Sequence, residues 1–320
     1  MPCPNPFSLD SDPTPSKRCT TWLIAGKLLL VMCLVLSRFG MESGRADDFA
    51  RTEDVIYGRK PGVALTLDVF QPARTNGHGL AFMVSGGWFS SHESINPAFL
   101  KPFLERGYTV FAVVHGSQPK YVVTEITEDI HRSIRFIRHN AARYGIDANH
   151  LGILGASAGG HLSLTMGVHG GPGPQDDKDP VNRESSAVQA VACFFPPTDF
   201  LNYGKPQEDA VGIGILSNFK AAFGPKSETA EGRQQLGREI SPIYHVTSHL
   251  PPTLIFHGDA DPLVPIQQSQ SFIAKAESVG ATAQLVIRPG EGHSVWKGFE
   301  QDLGLMADWF DQHLRGLPPK

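Results

Sequence analysis

Short apolar runs separated by stretches of helical spacing constrain this chain most. The runs are "VALTLDVF" from Val63, "LAFMV" from Leu80, "TVFAVV" from Thr109, "LGIL" from Leu151, "VQAVACF" from Val188, "TLIF" from Thr253 and "AQLVI" from Ala283. The first alternates, with Val63, Leu65, Leu67 and Val69 on one face, whereas the later ones are continuously apolar, as strands covered on both sides must be. Between two of them Ile126, Ile130, Ile134, Ile137 and Ala141 recur at helical spacing, and Gly145 supplies a stop. Arg132, Arg135 and Arg138 fall off that stripe and read as a solvated face. Alternation of this kind predicts one doubly wound α/β domain with a mostly parallel sheet and right-handed crossovers. Ligands then belong at the C-terminal ends of the strands.

At 320 residues, 41% hydrophobic, the chain has enough apolar material for a large core. A formal net charge of −4 argues against a nucleic-acid partner, which would call for a basic surface. Lys17 and Arg18 precede "WLIAGKLLLVMCLVL", and Gly44 and Ala46 follow it, so residues 1–46 read as a signal peptide and residues 47–320 as the exported domain, periplasmic or extracellular. The run is interrupted by Lys27 and is shorter than the roughly 20 residues that span a bilayer. An N-terminal membrane anchor is the alternative, and no stable membrane partner is expected. Past residue 46 only Cys193 is left, which excludes an intramolecular disulfide there. Residues 202–240 are too long for a simple connection and read as a small cap insertion. "GGPGPQDDKDP", Gly170 to Pro180, reads as a solvated loop in preference to a calcium site built from Asp176, Asp177 and Asp179.

The stretch "ILGASAGGHL" clears bulky side chains from around one hydroxyl. Gly155, Ser157 and Gly159 form G-x-S-x-G directly after a strand-like run, the pattern of a strand that turns sharply into a helix with the serine exposed on the bend. A serine needs a base, and the base needs a carboxylate to orient it. "HGDADPLVP" follows the sixth run and "PGEGHSVW" the seventh, so both fall at strand ends. Asp261 is assigned as the acid, with Asp259 as its competitor, and His293 as the base. Asp261 also suits the cap of a helix beginning near Pro262. His161, one turn beyond Ser157, reads as a packing residue. The oxyanion of an acyl-transfer reaction needs N–H donors. Ala158 supplies one, and Gly87 and Trp88 in "SGGWFS", after the run at Leu80, supply the others.

Taken in order, "LTLDVFQP", "SGGW", "RFIRHNAARYGIDANHLGILGASAGGHL", "FFPPTDF", "SPIYHV", "HGDADPLVP" and "GEGH" resemble secreted bacterial α/β-hydrolases of the feruloyl and acetylxylan esterase-like (BD-FAE-like) group, over nearly the whole of residues 47–320. The resemblance implies an α/β-hydrolase fold and hydrolysis of a carboxylic ester through an acyl-enzyme: Ser157 attacks, His293 relays its proton and Asp261 holds the imidazole. It implies acetyl or hydroxycinnamoyl (feruloyl) esters of polysaccharide, or small esters, as substrates, with no metal or organic cofactor. The group has H-G-G-x-W where this chain has Ser85-Gly86-Gly87-Trp88-Phe89. A histidine that would brace the loop is replaced by Ser85, which predicts a slacker oxyanion loop.

Serine peptidases of the prolyl oligopeptidase type share the elbow and the acid loop, but the few residues between Asp47 and Val63 leave no room for their propeller. An arylformamidase-like amide hydrolase shares the oxyanion loop and is the other catalytic alternative. A non-catalytic binding protein on the same fold would be expected to carry a damaged triad, and Ser157, Asp261 and His293 are all present.

Overall fold

The computed structural model describes residues 49–319. The expected leader, residues 1–46, lies outside the described residues. Eight strands form one sheet in the order β1-β2-β4-β3-β5-β6-β7-β8. They are β1 (Phe49–Lys60), β2 (Val63–Pro72), β3 (Gly79–Val84), β4 (Thr109–Val114), β5 (Leu151–Ala156), β6 (Ala190–Phe194), β7 (Thr253–Gly258) and β8 (Ala283–Arg288). β1 and β2 run antiparallel to their neighbours, and β4, β3, β5, β6, β7 and β8 pair in parallel. The doubly wound, mostly parallel α/β expectation holds, and the fold is that of an α/β-hydrolase.

Five helices of eight or more residues flank the sheet directly: α1 (Pro97–Glu105), α2 (Val123–His139), α3 (Ala158–His169), α5 (Gln267–Ser278) and α6 (Phe299–Arg315). A further helix, α4 (Ala230–Ile240), lies in the long segment between β6 and β7. One core layer joins α1 and α6 to one face of the sheet through Phe99, Phe103, Phe299 and Phe310. The other joins α2, α3 and α5 to the opposite face through Ile126, Ile130, Leu162 and Phe272. The predicted isoleucine stripe of α2 is fully buried, which is why this helix lies where it does.

Several expectations are corrected. β1 was not anticipated, because "FARTEDVIYGRK" is an edge strand whose side chains are mostly exposed, and apolar alternation is the signal that such a strand lacks. β6 begins at Ala190 and not at Val188. The helix expected near Pro262 starts at Gln267. The arginines of α2 do not form a solvated face: Arg132 Nε donates to Tyr57 O at 2.9 Å and Arg138 Nε donates to Ala148 O at 2.9 Å, so α2 ties down two neighbouring segments. In the 170–180 loop Asp177 accepts from the Asp179 N–H, and Asp179 caps the following turn while pairing with Arg132 at 2.7 Å.

Candidate active site

Parallel pairing puts the C-terminal ends of β3, β5, β6, β7 and β8 along one edge of the sheet, with β5 between β3 and β6. Each site residue follows one of those ends. Ser157 follows β5 at φ 55°, ψ −121°, a left-handed conformation that a non-glycine residue adopts only when its surroundings impose it. The surroundings are visible. A Cβ on Gly155 would lie 2.5 Å from the Gly159 carbonyl group, and one on Gly159 would lie 2.5 Å from Met83 O, so only glycine at both positions lets α3 come this close to β3 and β5. The Ser157 N–H continues the sheet ladder to Phe194 O at 2.9 Å.

His293 Nε2 lies 2.9 Å from Ser157 Oγ, and its Nδ1 lies 2.7 Å from Asp261 Oδ2. Because a carboxylate only accepts, Nδ1–H is the donor, which leaves Nε2 free to accept the serine proton. Burial opposes a charge on Asp261, but hydrogen bonds from His257, His293 and the Val264 N–H outweigh it and hold the carboxyl well below the usual carboxylate range. Asp261 Oδ1 accepts from the N–H groups of Leu263 and Val264, so this residue both builds its own turn and faces His293. Asp259 points elsewhere and accepts from the Gly290 N–H at 2.6 Å. That bond and the one from Ala260 N–H to Glu291 O at 3.0 Å stitch the Asp261 loop to the His293 loop. Arg288 and Trp296, at either end of the His293 loop, both bind Asp302 of α6.

Three further residues surround Ser157, His293 and Asp261. His257 Nε2–H reaches Val264 O at 2.8 Å and lies 3.3 Å from Asp261 Oδ2, so the carboxylate faces two imidazoles. Phe195, at φ 36°, packs its ring 4.5 Å from that of His293. His115 Nε2 lies 2.8 Å from Ser85 Oγ. The last contact bears on the slack loop expected from Ser85: a histidine does brace this loop, but it arrives from the end of β4. Ser117 adds to the brace by accepting from the Ser90 N–H at 2.8 Å. His115 and His257 each directly end or follow a strand-like run, a cue that was present in the sequence.

Gly87 and Trp88 both have positive φ, 56° and 60°. Gly86 exchanges two backbone hydrogen bonds with Phe89, while among the described residues no acceptor meets the N–H groups of Gly87, Trp88 or Ala158. The Trp88 ring is buried and enclosed by Phe200, Phe219, Phe223 and His161, and its indole N–H donates to His161 Nδ1 at 3.3 Å. His161 is therefore a packing residue that also orients Trp88. A small pocket open to solvent adjoins Ser157, Gly87 and Ala158, with Trp88, Tyr203, Leu216, Phe219, Leu263 and Val264 among its walls. Among the described residues, metal-ligand atoms gather only at Asp54, Asp68 and His92, where the Arg51 guanidinium already binds Asp68 at 2.9 Å and supplies the positive charge.

The BD-FAE family model matches residues 67–276. Esterase LipC of Mycobacterium tuberculosis is 27% identical over 248 residues, 75% of this chain and 58% of LipC. The chain spans about half the length of the curated relatives it matches. A truncated carbohydrate esterase from gut microbiota superposes with a TM-score of 0.72 at 26% identity, covering 85% of this chain and 100% of that one. Esterase Est2 of the planctomycete Thermogutta terrifontis superposes with a TM-score of 0.63 at 25% identity, covering 86% and 95%.

Proposed function

The chain belongs to the BD-FAE family, and on that premise we propose that it is a serine carboxylic-ester hydrolase working through an acyl-enzyme. The observation that carries this reading is the relay from Ser157 through His293 to Asp261, at 2.9 and 2.7 Å, beside N–H groups that meet no acceptor among the described residues. Ser157 Oγ attacks the ester carbonyl carbon as its proton passes to His293 Nε2, while Asp261 stabilises the imidazolium. The N–H groups of Gly87, Trp88 and Ala158 receive the developing oxyanion, each donor worth about 3 kcal/mol in the transition state. His293 gives its proton to the departing alcohol, and water then attacks the acyl-enzyme along the same path.

The substrates we assign are short acyl esters, acetyl esters of polysaccharide first among them. The small, mostly apolar pocket supports a short acyl group, and likeness to a carbohydrate esterase supports the alcohol side. Residues 202–240 act as a cap in this reading, since Tyr203, Leu216 and Phe219 help to wall the pocket. Residues 1–46 direct export. No described helix is long and apolar enough to cross a membrane.

The test is hydrolysis of 4-nitrophenyl acetate through octanoate by the chain and its Ser157→Ala variant. Loss of the nucleophile is expected to cut the rate by about 10⁴ to 10⁶, with the profile falling as the acyl chain lengthens. A folded protein that cleaves anilides but no ester would overturn the assignment in favour of an amide hydrolase.

A further inference from the structure

His257 lies near the end of β7, fully buried, and takes no part in the acyl transfer itself. Both of its ring nitrogens are engaged: Nδ1 lies 2.6 Å from Ser269 Oγ of α5, and Nε2 lies 2.8 Å from Val264 O. A carbonyl oxygen only accepts, so Nε2 carries a proton. The same Nε2 lies 3.3 Å from Asp261 Oδ2, the oxygen that also accepts from His293 Nδ1–H at 2.7 Å. Asp261 Oδ1 is taken by the N–H groups of Leu263 and Val264, so the carboxylate has donors on both oxygens and stays ionised although buried. Phe195 lays its ring against both imidazoles, with centroids 6.4 Å from His257 and 4.5 Å from His293. The other groups around this pair add no free charge. Ser269 from α5 and Phe195 from just past β6 are neutral, burial keeps the Tyr203 phenol protonated, and Arg288 of β8 is held by Asp302 of α6.

His293 must take the Ser157 proton and then release it to the departing alcohol. Its carboxylate partner therefore has to favour the imidazolium without trapping the proton on it. A second donor at Oδ2 spreads the carboxylate charge and limits how far the group can turn. We propose that His257 is a positioning residue of the relay: its Nε2–H, shared between Val264 O and Asp261 Oδ2, keeps the carboxylate turned to His293 and moderates its pull on the imidazolium. Its effect on turnover rests on the ester-hydrolase reading, to which it adds a fourth residue behind Ser157, His293 and Asp261.

The experiment records kcat/KM for 4-nitrophenyl acetate against pH for the wild type, His257→Phe, His257→Gln and Ser269→Ala. Phenylalanine removes the donor and still fills the space, whereas a glutamine amide can accept from Ser269 and donate to Val264 O and Asp261. Ser269→Ala takes away a buried bond to the same ring but leaves the Nε2–H in place, so it measures the structural loss alone. In His257→Phe the acid limb is expected to move up by about one pH unit, with kcat on the plateau about tenfold lower. In His257→Gln and Ser269→Ala the limb is expected to keep its wild-type position. An unmoved limb in His257→Phe overturns the proposal whatever happens to kcat, and so does an equal shift in either of the other two. Where His257→Phe does not fold, His257→Asn replaces it, since its shorter amide meets Ser269 but stops short of Asp261, and the same outcomes apply. NMR titration of His293 in histidine-labelled protein reads the shift without substrate. A wild type that cleaves the ester no faster than Ser157→Ala overturns the ester-hydrolase reading, while a His293 titration that is the same with and without His257 overturns the role given to His257.

Discussion

The Ser85 hydroxyl donates to Nε2 of the buried His115, 2.8 Å away. The direction follows from the other nitrogen: Nδ1 faces Gly116 O at 2.7 Å and must carry the proton, and burial pushes the imidazole down to about 4, so it is neutral at pH 7. Ser85→Ala leaves Nε2 buried without a donor, and a loss of about 1–3 kcal/mol is expected. Ser85→His sets a second imidazole against the first and is expected to destabilise further without raising kcat on large esters. Urea denaturation and steady-state kinetics of the two variants check both outcomes.

Asp261→Asn keeps the shape of the turn but offers His293 Nδ1 an amide whose orientation is contested by His257. A drop in kcat of about 10⁴ is expected, as when a triad carboxylate is neutralised and the wrong tautomer is held. Asp259→Asn keeps an oxygen able to accept from the Gly290 N–H and removes only the charge. Its kcat is expected to stay within about tenfold of wild type, and parallel kinetics on one ester tell the two carboxylates apart.

Gly87 cannot take a side chain without disturbing the wall opposite. A Cβ there would lie 2.4 Å from the Phe219 ring, on a residue already at φ 56°. If the Gly87 N–H serves as the proposed oxyanion donor, Gly87→Ala is therefore expected to lower kcat by about 10²-fold or more by displacing it. Adding Phe219→Ala removes the clash but not the strain and is expected to recover part of the loss, which a double-mutant cycle measures.

Acid is expected to weaken the fold from about pH 6.5 downward through its buried histidines. Burial lowers both His115 and His161 to about 4, so between that value and the unfolded value near 6.5 the unfolded chain binds more protons than the folded one. Stability is then complete above about pH 6.5 and falls as the pH drops toward 4, each histidine contributing on the order of 3 kcal/mol. His131 and His169, also lowered to about 4, act in the same direction. Urea midpoints from pH 7 to 4.5 are expected to decline, and His161→Gln to flatten the decline. A flat wild-type profile contradicts the neutral assignment.

Much of the architecture was legible because local period and burial coincide. Seven of the eight strands carry apolar runs, and the α2 stripe of Ile126, Ile130, Ile134 and Ile137 is the face that the sheet covers. β1 escaped because an edge strand rich in charged residues looks locally like a loop. The arginines of α2 escaped for a related reason, since a helix face opposite the apolar stripe looks solvated unless the loops that lie across it are known.

The sequence by itself determined the elements that local chemistry encodes: the glycine-flanked Ser157, the strand-end positions of Asp261 and His293, and the glycines that let a helix begin at the bend. Only the tertiary structure decided matters that depend on residues distant along the chain. It turned Asp261 and not Asp259 toward His293, set His115 against Ser85 and placed His257 behind the acid. A hydrogen bond between strand ends leaves no mark on the spacing within either strand, because the periodicity of a segment records which face is buried and not what it is buried against.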